Sequence, residues 1–576
     1  MILGEKCGKC CARREAALYG AALVLCLAIL TVVMKLWQAN LTVPFSYDGD
    51  ALLSGMLVKS IAENGWYLSN PHLGAPGGLD YYDYPFGDTL HFIVLKLFAL
   101  CSSHYGLILN LFFLFSFPAA TLSALFVFRR FGVSASCALL GSLLYAFLPY
   151  HFLRGEMHLF LSMYYLIPPM VMVLLWAGSG EPFSRRRLLA SFATCFLTAL
   201  AGVYYAAFAC LLLLFTGALN AVRESRLSPL GLPAALAVVI VLGSAINLLP
   251  SELYWHGHGK NFAVGRRSAS ESEFYGLKVS QLLLPVTGHR IEALANGKDD
   301  YNATMPLVNE NDDASLGMIG ACGFLLLLGS LCVRGKTAGL VIFDRLAALN
   351  LFCVLLATIG GFGTLIALTI TPAIRCYNRL SIVIGFLALF AVVLCLDAWF
   401  RRPAAAGMRR VRPVLLGGLL LLGLWDQTTV NDVPEYASVQ AQFGSDDRFV
   451  QQIEAVNPQG RIFQLPYVIF PESPLVHDMT DYQHLRGYLH SRTLSWSYGA
   501  MRGRSGDQWD KGVAAQPLPQ MMRSLQAAGF TGLWINGDGY EDRGAAMKDS
   551  LTRELGAAPI ISDDHHLLFF SMPPAQ

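Results

Sequence analysis

The sequence has few charged residues, which make up only 14% of its 576 residues, whereas hydrophobic residues make up 54%. A soluble globular domain carries charge on about a quarter of its residues, so this composition excludes an ordinary soluble protein. The formal net charge is +2, which provides no strongly basic surface of the kind that binds nucleic acid. We therefore expect no nucleic-acid partner.

Several common motifs are absent from the sequence. It contains no Gly-rich phosphate loop, no nucleophile elbow and no complete zinc motif, which excludes these three kinds of site. No small-x-small cleavage site ends the first apolar stretch, so we interpret it as a retained helix with a cytoplasmic N-terminus rather than a signal peptide. Cysteine is absent after Cys395, so an exported C-terminal region would need no disulfides.

Long apolar runs dominate the rest of the sequence, and several approach or exceed the ~20 residues that span a bilayer. The clear runs are residues 17–36, 107–128, 234–249, 347–370 and 382–396. Basic residues such as Arg129, Arg130 and Arg185 follow apolar runs. Placing them inside, as the positive-inside rule requires, gives a path of about eleven crossings. We predict a polytopic α-helical protein of the bacterial inner (cytoplasmic) membrane.

Two apolar segments depart from a simple span. Segment 89–101 is short and contains Lys96, so we predict an interfacial or re-entrant helix on the outer leaflet. Segment 188–219 is too long for one helix, and a break near Gly202 would divide it into two spans. The outer surface then consists of loops 38–88, 150–159 and 250–315, together with everything after residue 426.

The pattern divides the chain into a transmembrane catalytic domain, residues 1–426, and an exported soluble α/β domain, residues 427–576. Hydrophobic periodicity in the second part predicts a helix over 445–456, a strand over 461–468 and a buried strand over Gly532–Asn536. Segments 559–561 and 566–571 are typical of a closing hairpin.

The acidic turn Asp48-Gly49-Asp50 follows the first apolar helix and is the strongest candidate site. Its carboxylates can hold a metal or take a proton, and both can face one ion because Gly49 allows the backbone to turn. The alternative is that the turn only caps a helix that begins near Ala51.

The second outer loop contains four ionisable side chains within eight residues. In a helix His151, Arg154 and His158 would share one face, with Glu156 to the side. Between two apolar helices such groups must meet water, one another or a ligand. Either they form a solvated interfacial ring, or Glu156 and the histidines assist a metal or acceptor while Arg154 contacts phosphate.

Cations beside aromatic rings occur in the large loop and before a later helix. They suit a lipid-linked phosphate, because arginine forks bind its oxygens and rings cover its apolar stem. The alternatives are snorkelling surface groups and contacts with outer headgroups. The candidate residues are His256, His258, Lys260, Arg266, Arg267, Tyr275, Arg375 and Arg379.

This combination resembles the GT-C superfamily of integral membrane glycosyltransferases, and is most similar to its YfhO-like and related polyprenol-dependent branches. The shared pattern is one helix, an outer acidic motif (here Asp48-Gly49-Asp50), interfacial helices, a multi-helix core and an exported C-terminal domain. The resemblance implies a polyprenyl-phosphate-linked sugar as donor. It implies Asp48 or Asp50 as the catalytic carboxylate, or as the ligand of a divalent ion such as Mg or Mn.

The resemblance also implies that cations stabilise the departing lipid phosphate. The candidates are Arg154, Lys260, Arg266, Arg267 and Arg375. The chain lacks the Trp-Trp-Asp-Tyr-Gly signature of oligosaccharyltransferases, which argues against N-glycosylation of sequons.

We therefore expect an inverting glycosyltransferase that modifies a lipid, polysaccharide or cell-envelope acceptor on the outer face, in contact with membrane lipids. A lipid or polysaccharide transporter is the alternative from another class. Transporters usually show paired repeats and mid-membrane charges, whereas this sequence has no repeat and its polar clusters lie at helix ends. A transferase of a non-sugar group such as phosphoglycerol remains a third hypothesis.

Overall fold

The computed structural model describes residues 2–332, 341–403, 407 and 410–573. The helices before residue 260 are α1 (Ile2–Val33), α2 (Asp50–Asn64), α3 (Thr89–Ala99), α4 (Tyr105–Arg130), α5 (Ala135–Ala146), α6 (Pro149–Arg154), α7 (Ile167–Ala177), α8 (Arg185–Ala199), α9 (Val203–Glu224) and α10 (Gly231–His258). The next are α11 (Glu271–Phe274), α12 (Val279–Leu283), α13 (Glu292–Thr304), α14 (Gly317–Cys332), α15 (Val341–Ala357), α16 (Phe362–Thr369), α17 (Ser381–Arg401) and α18 (Arg412–Gln427).

The C-terminal region contains α19 (Tyr436–Val456), α20 (Leu485–His490), α21 (Ser505–Ala514), α22 (Leu518–Ala527) and α23 (Ala545–Leu555). A two-residue ribbon in loop 38–88 pairs β1 (Ser69–Asn70) with β2 (Leu79–Asp80). The remaining strands are β3 (Arg461–Leu465), β4 (Ser495–Trp496), β5 (Gly532–Asn536), β6 (Ile560–Ile561) and β7 (Leu567–Ser571).

The chain is a multi-pass membrane protein. Within the described ranges six helices are long and apolar enough to cross a membrane, or seven if one pair bent by 77° counts as a span. The six are Arg13–Val33, Tyr105–Arg130, Ala135–Arg154, Val203–Glu224, Ser228–His258 and Tyr377–Arg401. This number is below the predicted eleven, because α7, α8, α14 and α15 have 11 to 17 residues each. Such helices are shorter than the ~20 residues of a full span.

Both segments that were predicted not to form simple spans differ from a long continuous helix in the structure. Segment 188–219 is interrupted between α8 and α9, where Gly202 has φ 117°, a backbone conformation that L side chains rarely adopt. A Cβ atom at Gly202 would lie 3.3 Å from Oδ1 of Asp88. Helix α3 has 11 residues and buries only one side, which includes His91, Phe92 and Leu95.

A five-stranded mixed sheet of order β4-β3-β5-β7-β6 forms the centre of the C-terminal region. Strands β4, β3 and β5 are parallel, and β7 pairs antiparallel with β5 and β6. The predicted strand Gly532–Asn536 and the closing hairpin are confirmed. The strand predicted over 461–468 ends at Leu465, before Pro466, which has no N–H to donate to a sheet.

The C-terminal sheet and the helical bundle share one hydrophobic core, which runs from α4 to Phe449 and Trp534. At one junction α20 packs against α2, and Lys59 Nζ donates to the carbonyls of Leu489 (3.3 Å) and Ser491 (2.6 Å). The boundary at residue 427 stays a prediction, and the two regions pack directly on each other.

Candidate active site

The acidic turn lies between α1 and α2. Gly49 precedes α2 with φ 50°, and no side-chain hydrogen bond caps this helix. A Cβ atom at Gly49 would lie 3.2 Å from Cε of Met157, so both the conformation and the space favour glycine. Neither carboxylate is used for capping, and both Asp48 and Asp50 are available for other contacts.

Asp50 lies in a charged environment but keeps 47% of its side-chain surface exposed. Its Oδ2 atom is 3.8 Å from Nε2 of His158. Burial, together with two nearby carboxylates, raises the pKa of Asp50 to about 6, although two arginines oppose the shift. With these neighbours it forms the charged cluster, which consists of Asp50, His158, Glu310, Arg375, Arg379 and Glu472.

Asp48 is held by the C-terminal region. Thr480 Oγ1 donates a 2.5 Å hydrogen bond to Oδ1 of Asp48, and Nη2 of Arg486 lies 3.8 Å from the same oxygen. The preceding side chain, Tyr47, is buried and donates a 2.8 Å hydrogen bond from its hydroxyl to Asp446. Asp48 therefore has fixed partners, whereas Asp50 faces a neutral or weakly basic imidazole.

Glu156 lies behind the acidic turn. It is 3% exposed, and its Oε2 accepts a 3.0 Å hydrogen bond from the backbone N–H of Ser46. Burial raises the pKa of Glu156 to about 8, and the backbone donors that would lower it do not compensate. The carboxyl group is therefore mostly neutral at neutral pH and supports the backbone that leads into Asp48.

Arg154 is buried at 1% exposure and pairs with two carboxylates that the sequence analysis did not single out. Its Nη1 atom lies 2.7 Å from Glu310 and its Nε atom 2.9 Å from Asp313. Arg379 approaches Glu310 to 3.6 Å from the other side. Burial would raise the pKa of Glu310, but the charges of Arg154 and Arg379 outweigh it and lower the pKa to about 2.

Arg267 and Arg375 reach the cluster from two different loops. Arg375 Nη1 lies 2.5 Å from Glu271, and its guanidinium lies 5.0 Å from the ring centre of Tyr275. Arg267 Nη2 lies 2.6 Å from Glu472, which is also 4.0 Å from Arg375. Six of the predicted residues are therefore brought together around Glu310 and Glu472: Asp50, Arg154, His158, Arg267, Arg375 and Arg379.

Four predicted residues of the large loop lie outside the charged cluster. Lys260 Nζ is 5.0 Å from the ring centre of Trp255, and Arg266 donates to a carbonyl of its own loop. His256 is exposed, and His258 stacks on Tyr254. Their roles in binding donor or acceptor stay predictions.

His151 points into the helical bundle. It is fully buried, stacks on Phe117 with ring centres 3.7 Å apart, and hydrogen-bonds Tyr164 at 2.8 Å. The expected common face with His158 does not form, because α6 ends at Arg154 and Gly155 turns the chain with φ 47°. His151 is thus a packed core histidine in this structure, and its accessory role stays a prediction.

Sequence reasoning missed Glu310, Asp313, Glu472 and Asp481. Burial raises the pKa of Asp481 to about 7, and the charges of Asp50 and Glu472 add to the rise. These residues come from loops far from the acidic turn in sequence. The only local signal was the acidic run Glu310-Asn311-Asp312-Asp313.

A metal ion is predicted at Asp48 and Asp50, and the side chains around them decide whether it could be held there. Among the described residues no group of three or more His, Cys, Asp or Glu side chains is placed to hold a metal ion. Asp48 contacts Thr480 and Arg486, whereas Asp50 contacts His158, so the pair does not converge on one point. The arrangement of the described residues does not fit a metal ion held by both carboxylates, and the metal stays a prediction.

Comparison with known proteins gives a fold. No protein-family model and no curated protein matches the chain. The structure of ArnT from Cupriavidus metallidurans in the apo state matches with a TM-score of 0.53 and 12% identity, over 96% of this chain and 97% of that one.

Two further structures match with lower scores. One is the archaeal oligosaccharyltransferase AglB from Archaeoglobus fulgidus in complex with an inhibitory peptide and a dolichol-phosphate (TM-score 0.44, 11% identity, 90% of this chain and 69% of that one). The other is the arabinofuranosyltransferase AftD from Mycobacteria (TM-score 0.42, 16% identity, 91% of this chain and 36% of that one). The likeness to the ArnT structure, which extends over nearly the whole of both chains, shows a shared fold.

Proposed function

We propose that this protein is a glycosyltransferase of the bacterial inner membrane that takes a sugar from a polyprenyl-phosphate donor. The acceptor is a hydroxyl group of a lipid, polysaccharide or cell-envelope polymer on the outer face, where the C-terminal region also lies. The observation that carries the proposal is the position of Asp50, an accessible carboxylate beside Arg375 and Arg379 in the charged cluster.

Asp50 acts as the general base. A pKa of about 6 leaves the carboxylate ionised at neutral pH, yet basic enough to accept a proton from an acceptor hydroxyl. Asp48 is the less suitable base because Thr480 and Arg486 already occupy its Oδ1 atom. General base catalysis of this kind contributes about 10²–10⁴ in rate.

The arginines of the cluster stabilise the leaving group. As the acceptor oxygen forms a bond to the anomeric carbon, the bond from that carbon to the phosphate oxygen breaks and the electron pair stays on the phosphate. Arg375 and Arg379 are suited to this negative charge, because a planar guanidinium binds two phosphate oxygens at once. Direct displacement by the acceptor inverts the configuration at the anomeric carbon.

A deletion strain complemented with variants tests the proposal. We expect mass spectrometry of envelope lipids and glycans to show one sugar missing from the deletion strain. Wild-type protein and the exposed control Glu541→Gln should restore that sugar, whereas Asp50→Asn should not, at equal membrane levels. Restoration by Asp50→Asn would contradict the assigned base, and loss of a group that is not a sugar would contradict the reaction.

A further inference from the structure

Glu472 is the one acidic side chain of the charged cluster that comes from the C-terminal region. It lies in the loop after β3, far in sequence from the arginines that it contacts. Arg267 donates two hydrogen bonds to it, at 2.6 and 3.3 Å, and Tyr84 donates a third at 2.8 Å. Arg375 lies 4.0 Å from the same carboxylate.

The backbone of Glu472 is held in an unusual conformation. Its φ of 59° lies in the left-handed region, which a non-glycine residue adopts only where the surrounding contacts impose it. Its N–H donates to the hydroxyl of Tyr482 at 3.2 Å, and its carbonyl accepts from Arg502 at 3.2 Å. The loop is therefore fixed so that this side chain points at the arginines.

The carboxylate of Glu472 uses the same donors as a phosphate would. Burial would raise its pKa, but the hydrogen bond and charge of Arg267 outweigh burial and lower it, so the group is an anion. A guanidinium binds carboxylate and phosphate oxygens with the same forked geometry. An incoming phosphate group therefore meets arginines that are already neutralised.

We propose that Glu472 is a competing anion, which binds Arg267 and lies beside Arg375, and that the phosphate of the donor displaces it when it binds these arginines. This inference rests on the proposed function, which assigns Arg375 to the phosphate of the donor, and it adds Arg267 as a second ligand. Glu472 thereby lowers the affinity for the donor from the C-terminal region. An uncharged lipid cannot replace it, because such a lipid has no negative charge to bind the arginines.

Binding of an isoprenyl phosphate by the full-length protein in detergent tests the inference. The probe is farnesyl phosphate, and farnesol is its uncharged control. Glu472→Gln should tighten phosphate binding by about five- to tenfold, because an opposing charge is removed while the side-chain volume is kept. Arg267→Gln should weaken it by about tenfold. The matched control is Glu541→Gln, at an exposed glutamate of the same region.

The outcomes separate this inference from the proposed function. Unchanged or weaker phosphate binding by a folded Glu472→Gln variant would overturn the inference alone, provided that the wild type binds phosphate. If wild type and all variants bind farnesyl phosphate and farnesol with equal affinity, both the inference and the proposed donor are wrong. Should Glu472→Gln fail to fold, Glu472→Asp is measured instead. Its carboxylate is shorter and competes less well for the arginines, so this variant should also bind farnesyl phosphate more tightly than wild type. Equal or weaker binding would overturn the inference.

Discussion

Asp50 of loop 38–88 and His158 of loop 150–159 face each other, with Oδ2 of the aspartate 3.8 Å from Nε2 of the histidine. Burial and the charge of Arg154 lower the pKa of His158 to about 3. The imidazole is therefore neutral at neutral pH, and the contact is not an ion pair. Asp50 keeps its negative charge without a permanent cationic partner on this side, which suits a group that must accept a proton.

The pH dependence of transfer should report Asp50. Because only the ionised carboxylate accepts a proton, kcat/KM should fall as the pH decreases through about 6. Glu472→Gln removes a negative charge that raises the pKa of Asp50, so this limb should move to lower pH. A profile without an acidic limb would contradict the role of Asp50. The charged and titratable groups that act on it are Glu310, Glu472, Asp481, Arg375, Arg379 and His158.

Substitution of the predicted phosphate ligands should separate those that affect phosphate binding from those that do not. Arg375→Gln and Arg379→Gln should weaken binding of farnesyl phosphate by about tenfold or more, because both guanidiniums lie in the charged cluster. Lys260→Gln and Arg266→Gln should change it by less than about twofold, since both side chains lie outside the cluster. Equal losses from all four variants would show that the large loop closes over the donor.

Arg154 should matter more for folding than for donor affinity. Arg154→Met leaves Glu310 and Asp313 without their closest cation, and breaking a buried ion pair costs about 3–5 kcal/mol. We expect a large loss of folded protein, measured by size-exclusion chromatography of a fluorescent fusion. Arg266→Met is the exposed control. A well-folded Arg154→Met variant that fails only to bind farnesyl phosphate would support the predicted phosphate role instead.

Glu156 should make stability depend on pH. Its pKa of about 8 in the folded protein exceeds the ordinary value of 4.5, so the folded state holds the proton more tightly than the unfolded state. This contribution is full below the ordinary pKa and is lost as the pH rises toward about 8. Glu156→Gln keeps an oxygen for the N–H of Ser46 but does not titrate. Its apparent melting temperature should therefore fall less than that of wild type over this range, and parallel curves would contradict the assignment.

Asp83 and Arg504 should be energetically coupled. The buried carboxylate of Asp83 accepts from Nε and Nη2 of Arg504 at 2.6 and 2.7 Å, and this pair joins loop 38–88 to the C-terminal region. The double variant Asp83→Asn with Arg504→Gln should lower the melting temperature little more than either single change, because one interaction is lost in all three. Additive losses would show that the pair is not a unit.

Local structure could be predicted wherever the sequence of one segment determines its secondary structure without tertiary contacts. The short apolar run Gly532–Asn536 identified a buried strand, and the length of segment 188–219 indicated a break near Gly202. The number of long spans was predicted less well, because α7, α8, α14 and α15 are shorter than a full span.

The site was predictable only in part. The acidic turn and the arginines have a local signature of charge next to apolar helices. Glu472 and Asp481 have no local signature, because the sequence around an isolated acidic residue in a loop does not indicate whether its side chain contacts solvent or a guanidinium. His151 and Arg154 have the same surroundings in sequence, yet one packs on Phe117 and the other pairs with Glu310, a choice made only by tertiary contacts.

The contact of Asp48 with Thr480 and Arg486 also has a consequence for biogenesis. A ribosome that has already delivered the whole helical bundle to the membrane has yet to synthesise the two side chains that fix the acidic turn. The proposed enzyme is thus unfinished throughout its own insertion and becomes competent only near the end of translation. A product cut short before residue 480 should be inserted but inert.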